Sequence, residues 1–135
     1  MEARMFTHID YTMIVVSDMQ RSVEFYRDKL GITLKFQSPD WTEFVTGTTT
    51  LALHGGGVVP TERPAWDPTK LAGSCSIGFN VADVDKTFDE LKAKGIQFVM
   101  PPTQRDGDGI KLAVCLDPDG LPIAIAQTIA QTATS

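Results

Sequence analysis

The side chains whose types and places let them do chemistry in this chain are His8, His54, Glu43, Lys111, Tyr11 and the thiols of Cys75 and Cys115. His54 closes an apolar run, Leu51-Ala52-Leu53. It shares a strand face with Ala52, where an imidazole shuttles a proton or contacts a ligand, or simply ends the strand with a solvated ring. Glu43 is the carboxylate in the middle of an expected strand and the best general-base candidate if it points inward. Its facing stays open, because Trp41, Phe44 and Val45 do not alternate cleanly. His8 lies three residues before Tyr11, on the opposite face of any strand reaching back that far, and reads as a surface residue. Cys75 and Cys115 form no CxxC pair, and a chain of this length buries enough surface without a disulfide, so two free thiols are expected.

These residues are positioned by an internal duplication. Val16-Ser17-Asp18 recurs as Val81-Ala82-Asp83 at an offset of 65, and Gly31-Ile32 as Gly95-Ile96 at 64. In each copy a short strand ends at an Asp suited to cap a helix. Met19, Val23, Tyr26 and Leu30, and then Val84, Phe88 and Leu91, follow helical spacing with one apolar stripe. Gly31 and Gly95 are placed to end the helices. Strand-like segments follow at 32–37, 41–46 and 49–54, then at 96–100, 110–116 and 121–127. Asp117-Pro118-Asp119-Gly120 predicts a tight turn joining the last two. The expected fold is α+β, two tandem βαβββ modules at about 8–54 and 74–127 within one domain. A linker at 55–73 carries Gly55-Gly56-Gly57 and Trp66, a loop spans 101–109, and 128–135 form a flexible tail.

The paired modules, both helix caps and the LDPDGLPIAI hairpin, in that order along nearly the whole chain, resemble the vicinal oxygen chelate superfamily: glyoxalase I, extradiol dioxygenases, and fosfomycin and bleomycin resistance proteins. The resemblance implies a curved mixed sheet around a concave cup, helices on the convex side, and a homodimer whose cups draw on both chains. Catalytic members hold a divalent metal in the cup through His and Glu on the first and last strands of each module. Carried over by position, those ligands fall on Tyr11, Ala52, Ser76 and Ala124. Alanine offers no donor, and a divalent site needs three or more converging N, O or S atoms. The expectation is therefore no metal and no cofactor.

In that frame Tyr11 stands at the centre of the cup as a phenol able to hydrogen-bond or stack, or as a packed tyrosine. Met13 follows on the same face, suited to an irregular pocket or to a core. Trp41, Phe44 and Trp66 are expected at the mouth, and Ser76 on the opposite first strand. Because Ile110, Leu112, Val114 and Leu116 are all apolar, alternation predicts Lys111, Ala113 and Cys115 on the cup side, where Lys111 meets an anionic group or snorkels to solvent.

A formal net charge of −5 with Lys and Arg scattered along the chain argues against a nucleic-acid partner. The first apolar run, residues 13–16, is too short for a signal or a membrane span, so a cytoplasmic location is expected. The leading expectation is a metal-independent binding protein for an apolar, ring-containing small molecule, of the kind that sequesters a toxic or antibiotic compound. The alternatives are a divergent lyase or isomerase using Tyr11, His54 or Glu43 as acid and base, an enzyme with relocated metal ligands, and a protein that uses the fold only to pair.

Overall fold

The computed structural model describes residues 5–61, 72–105, 107 and 109–129. The chain divides into two compact units, Met1–Pro60 and Thr61–Ser135. The first contains β1 (Tyr11–Val15), α1 (Met19–Val23) continued by a wider π-helical stretch (Glu24–Lys29), β2 (Thr33–Phe36), β3 (Trp41–Thr46) and β4 (Thr49–His54). The second contains β5 (Ile77–Asn80), α2 (Val84–Ala93), β6 (Phe98–Arg105), β7 (Ile110–Leu116) and β8 (Pro122–Thr128). The sheets run β1-β4-β3-β2 and β5-β8-β7-β6, each with its first strand parallel to its last and the other pairs antiparallel. The expected α+β fold with a duplicated βαβββ order is present. Among the described residues no helix is long and apolar enough to cross a membrane.

The caps act as the sequence predicts. The Asp18 carboxylate accepts from Arg21 N–H at 3.1 Å and the Asp83 carboxylate from Lys86 N–H at 3.1 Å, each satisfying one of the N–H groups a helix start leaves free. Gly31 and Gly95 take φ of +75° and +85°, the left-handed geometry that ends a helix and that a side chain would oppose. In the second module the buried carboxylate of Asp117 accepts from Asp119 N–H at 2.9 Å and Leu121 N–H at 2.8 Å, which pins the β7–β8 turn.

The first helix departs from the expected single stripe. Leu30 N–H donates to Phe25 O at 2.9 Å, five residues back, where an α-helix would reach four. The wider turn swings Phe25 inward beside Tyr26, the rings meeting edge to face at 4.9 Å, and Tyr26 then reaches Phe44 of β3 at 6.0 Å. Ser22, Val23, Phe25 and Tyr26 are buried, while Met19 and Leu30, ends of the expected stripe, are half-buried.

The residues expected as the loop's start, Pro101 and Pro102, instead lie within β6. Proline lacks the N–H a central strand needs, but β6 is an edge strand, and its pairing with β7 shifts register between Met100 and Thr103. Each unit keeps its apolar core on one sheet face: Ile14, Phe44, Leu51 and Leu53 in the first, Ala113, Cys115, Ile123 and Ile125 in the second. Both cysteines are free, Cys75 exposed and Cys115 buried, where desolvation pushes the Cys115 thiol up to about 12 and keeps it protonated at neutral pH.

Candidate functional site

The other face of the first sheet gathers the polar and aromatic groups. Strand pairing sets Tyr11 beside Thr50, Met13 beside Ala52 and Val15 beside His54, and on the far side of β4 sets Trp41 against His54, Glu43 against Ala52 and Val45 against Thr50. Directly paired residues share a face, so Tyr11, Met13, Trp41, Glu43 and His54 stand together. Tyr11, Met13 and Val15 are 53%, 44% and 55% exposed, large values for apolar side chains on a sheet. The intervening Ile14, Thr42, Phe44 and Leu53 turn the other way and are buried.

Trp41 organises this face. Its ring meets Tyr11 edge-on with centroids 5.8 Å apart and His54 at 6.3 Å and 89°. Its indole N–H donates to the Glu43 carboxylate at 2.8 Å. The second Glu43 oxygen lies 3.8 Å from Lys35 Nζ. Glu43 therefore faces outward with the aromatic groups, but as a carboxylate already held by a donor and a cation. Ala52, paired between Met13 and Glu43, is fully buried. Its methyl forms the floor over which the larger side chains stand. His54 has Nδ1 2.7 Å from Gly55 O.

Two of the expected site residues face the helix side of their own sheets. Phe44 is completely buried against Tyr26, because it alternates with Trp41 and Glu43 along β3 and so faces the helix. Lys111 is on the helix side too: β7 pairs it with Gln127, and its Nζ donates to Asp85 of α2 at 2.7 Å. The alternation of β7 was right but its sense was reversed. Both faces of this strand are apolar, and the helix packs on the one with small side chains, Ala113 and Cys115, leaving Ile110, Leu112, Val114 and Leu116 opposite. Ser76 is exposed just ahead of β5, in the second unit. Trp66 lies outside the described residues. His8 is exposed, 3.8 Å from Asp10.

The residues at the metal-ligand positions of catalytic vicinal oxygen chelate proteins, Tyr11, Ala52, Ser76 and Ala124, do not fit a divalent ion, since two of the four have no donor atom. Among the described residues no three His, Cys, Asp or Glu side chains converge. Glu43, the carboxylate next to Ala52, is engaged by Trp41 and Lys35. Sequence reasoning missed Lys35, Val15 and the Gly55 carbonyl. Val15 was legible from its spacing to Tyr11 and Met13, whereas Lys35 comes within reach of Glu43 through the pairing of β2 with β3, a tertiary feature that spacing does not give.

The chain is similar to known proteins over nearly all its length. A probable lactoylglutathione lyase of Synechocystis sp. (strain ATCC 27184 / PCC 6803 / Kazusa) is 31% identical over 126 residues, 87% of this chain and 93% of the relative. The crystal structure of SMU.1112c superposes with a TM-score of 0.75 at 29% identity, covering 89% of this chain and 98% of that one. TnmS3, an antibiotic binding protein from Streptomyces sp. CB03234, shares the fold with a TM-score of 0.71 at 23% identity over 93% of this chain and 99% of its own. The model of the glyoxalase/bleomycin resistance protein/dioxygenase superfamily matches residues 8–125, and the chain belongs to that superfamily.

Proposed function

We propose that the chain is a metal-independent binding protein for a ring-containing small molecule, seated on the outward face of the first sheet against Tyr11 and Trp41. The observation that carries this reading is the Tyr11–Trp41–His54 ring cluster standing over Ala52, at a position where catalytic vicinal oxygen chelate proteins carry a metal ligand. Apolar rings removed from water on such a face contribute roughly 25 cal/mol per Å², and edge-to-face ring contacts add to that. TnmS3, which shares the fold, is an antibiotic binding protein, and this supports sequestration of an antibiotic or toxic compound. The exposed apolar groups Val15, Phe36 and Val45 beside the cluster support a homodimer, since such a face is commonly covered by a partner. The free thiols support a cytoplasmic location.

A divergent lyase or isomerase is the second reading, supported by the name of the Synechocystis relative and by Tyr11, His54 and Glu43 sharing one face. Glu43 is its weak member, because its carboxylate already accepts from the Trp41 N–H and lies near Lys35.

Titration with a panel of aromatic antibiotics tests the proposal, with Trp66→Phe isolating the emission of Trp41. Saturable quenching is expected without added metal, and Tyr11→Ala should weaken binding by about 1–3 kcal/mol while leaving the fold intact. Absence of quenching across the panel, or equal affinity in Tyr11→Ala, would refute the assignment. Formation of lactoylglutathione that is lost in His54→Phe would favour the second reading. Sedimentation of a monomer at micromolar concentration would remove the dimer.

A further inference from the structure

His54 is the one member of the cluster whose polar atoms are set by the backbone. Its Nδ1 lies 2.7 Å from Gly55 O, and a carbonyl oxygen has no proton to give, so Nδ1 must carry the hydrogen. In the neutral ring the lone pair then sits on Nε2.

The carbonyl that fixes this tautomer is itself clamped. Gly55 N–H donates to Asp40 O at 3.0 Å, and a Cβ at position 55 would lie 2.3 Å from Pro39 O. Two residues on, Gly57 N–H donates to Val16 O at 2.9 Å, and a Cβ there would lie 2.6 Å from Val15 Cγ1. The chain leaving β4 is thus pressed between the β2–β3 turn and the end of β1, and only glycine fits at both places. The Trp41 indole N–H beside His54 is spent on Glu43, so it does not cap the imidazole. Among the described residues Nε2 has no donor.

We propose that His54 presents Nε2 as a fixed hydrogen-bond acceptor and that the ligand supplies an acidic hydroxyl, a phenol or an enol carried on a ring. One rigid group then offers both a ring to Tyr11 and Trp41 and a donor to His54. Glu43 does not compete for that donor, being turned to Trp41 and Lys35. This inference rests on the binding reading above and narrows its ligand class.

The test uses the full chain and two probes, 1-naphthol and 1-methoxynaphthalene, which differ in the donor. Long-range ¹⁵N–¹H correlation of the His54 ring is expected to show Nδ1 protonated and Nε2 bare in the free protein. Chemical-shift titration is expected to give roughly 3- to 10-fold tighter binding of the naphthol, the value of one hydrogen bond, with the preference lost in His54→Phe. A ring protonated at Nε2 would overturn the proposal whatever binds. Equal affinity for the two probes, or a preference that survives in His54→Phe, would overturn the donor assignment while leaving ring binding standing. Failure of both probes to bind would overturn the ligand class and the binding reading together. The tautomer and the parent's ratio are read without the variant.

Discussion

The two modules share strand order, helix caps and the glycines that end their helices, yet their outward faces differ in kind. On the first, Tyr11, Trp41, Glu43 and His54 stand over Ala52. On the second, the corresponding strands offer Gly78, Ala124 and Ala126 with Leu112 and Val114, beside Asn80 and Thr128, whose side chains bond each other at 3.3 Å, and none of these is aromatic or charged. The helices differ as well, a π-helical stretch in the first and a regular α-helix in the second. A duplicated scaffold needs its caps, turns and core in both copies, because those set register and burial. The outward face carries no such requirement, so chemistry can concentrate in one copy.

The strongest way to break this comparison is within β3, where neighbouring residues serve the two sides. Phe44→Ala removes a fully buried ring packed on Tyr26 and should cost about 3–5 kcal/mol of stability in denaturant unfolding. Trp41→Ala, on the outward face, should cost much less stability and abolish the quenching response. If Trp41→Ala unfolds the protein as readily as Phe44→Ala, the division into a structural and a functional face is wrong.

Gly55→Ala comes next. A methyl 2.3 Å from Pro39 O forces the backbone leaving β4 to shift, and about 1–3 kcal/mol of destabilisation is expected, with the His54 ring freed from Gly55 O. Gly56→Ala serves as a control of a different kind, having open space around its Cβ but a φ of +82°, so its cost is conformational alone, about 1 kcal/mol. Equal cost, with the His54 ring unchanged in both, would show that close approach at Gly55 is not what fixes the imidazole.

The helix caps sharpen the shared part of the comparison. Asp18 and Asp83 make equivalent bonds of 3.1 Å, so Asp18→Ala and Asp83→Ala should each lower stability by about 1 kcal/mol, measured by thermal unfolding. A cost confined to one module would mean the two helix starts are not equivalent.

Most of the fold was legible because its determinants are local. The strands expected at 41–46, 49–54 and 110–116 match β3, β4 and β7 in full, and each cap and helix-ending glycine acts where its residue type predicts. The π-helical turn was not legible, since Phe25 and Tyr26 side by side read equally well as one buried and one exposed position. The reach of β6 through Pro101 and Pro102 was hidden because edge position is a tertiary property. Of the candidate residues, Tyr11, Met13 and His54 were placed on one face by the family resemblance together with period two, whereas Phe44, expected at the mouth, turns inward, and the facing of Glu43 stayed open until pairing with β4 fixed which side of β3 is which.

The smallest effect belongs to Lys111, and it tests how strand faces are told apart when both are apolar. Polarity alone puts the lysine of β7 on the ligand side. Side-chain size decides otherwise: α2 packs where Ala113 and Cys115 leave room, and Lys111 follows them to that face, reaching Asp85 at 2.7 Å. The Asp85 partner is well exposed, so solvent screens the pair, and its loss should cost less than about 1 kcal/mol. Lys111→Met keeps the aliphatic stem and removes the charge. It should shift the unfolding midpoint only slightly, with a shift that shrinks as salt is added, and should leave the affinity for any aromatic ligand unchanged. A loss of affinity in Lys111→Met without loss of stability would return this residue to the site.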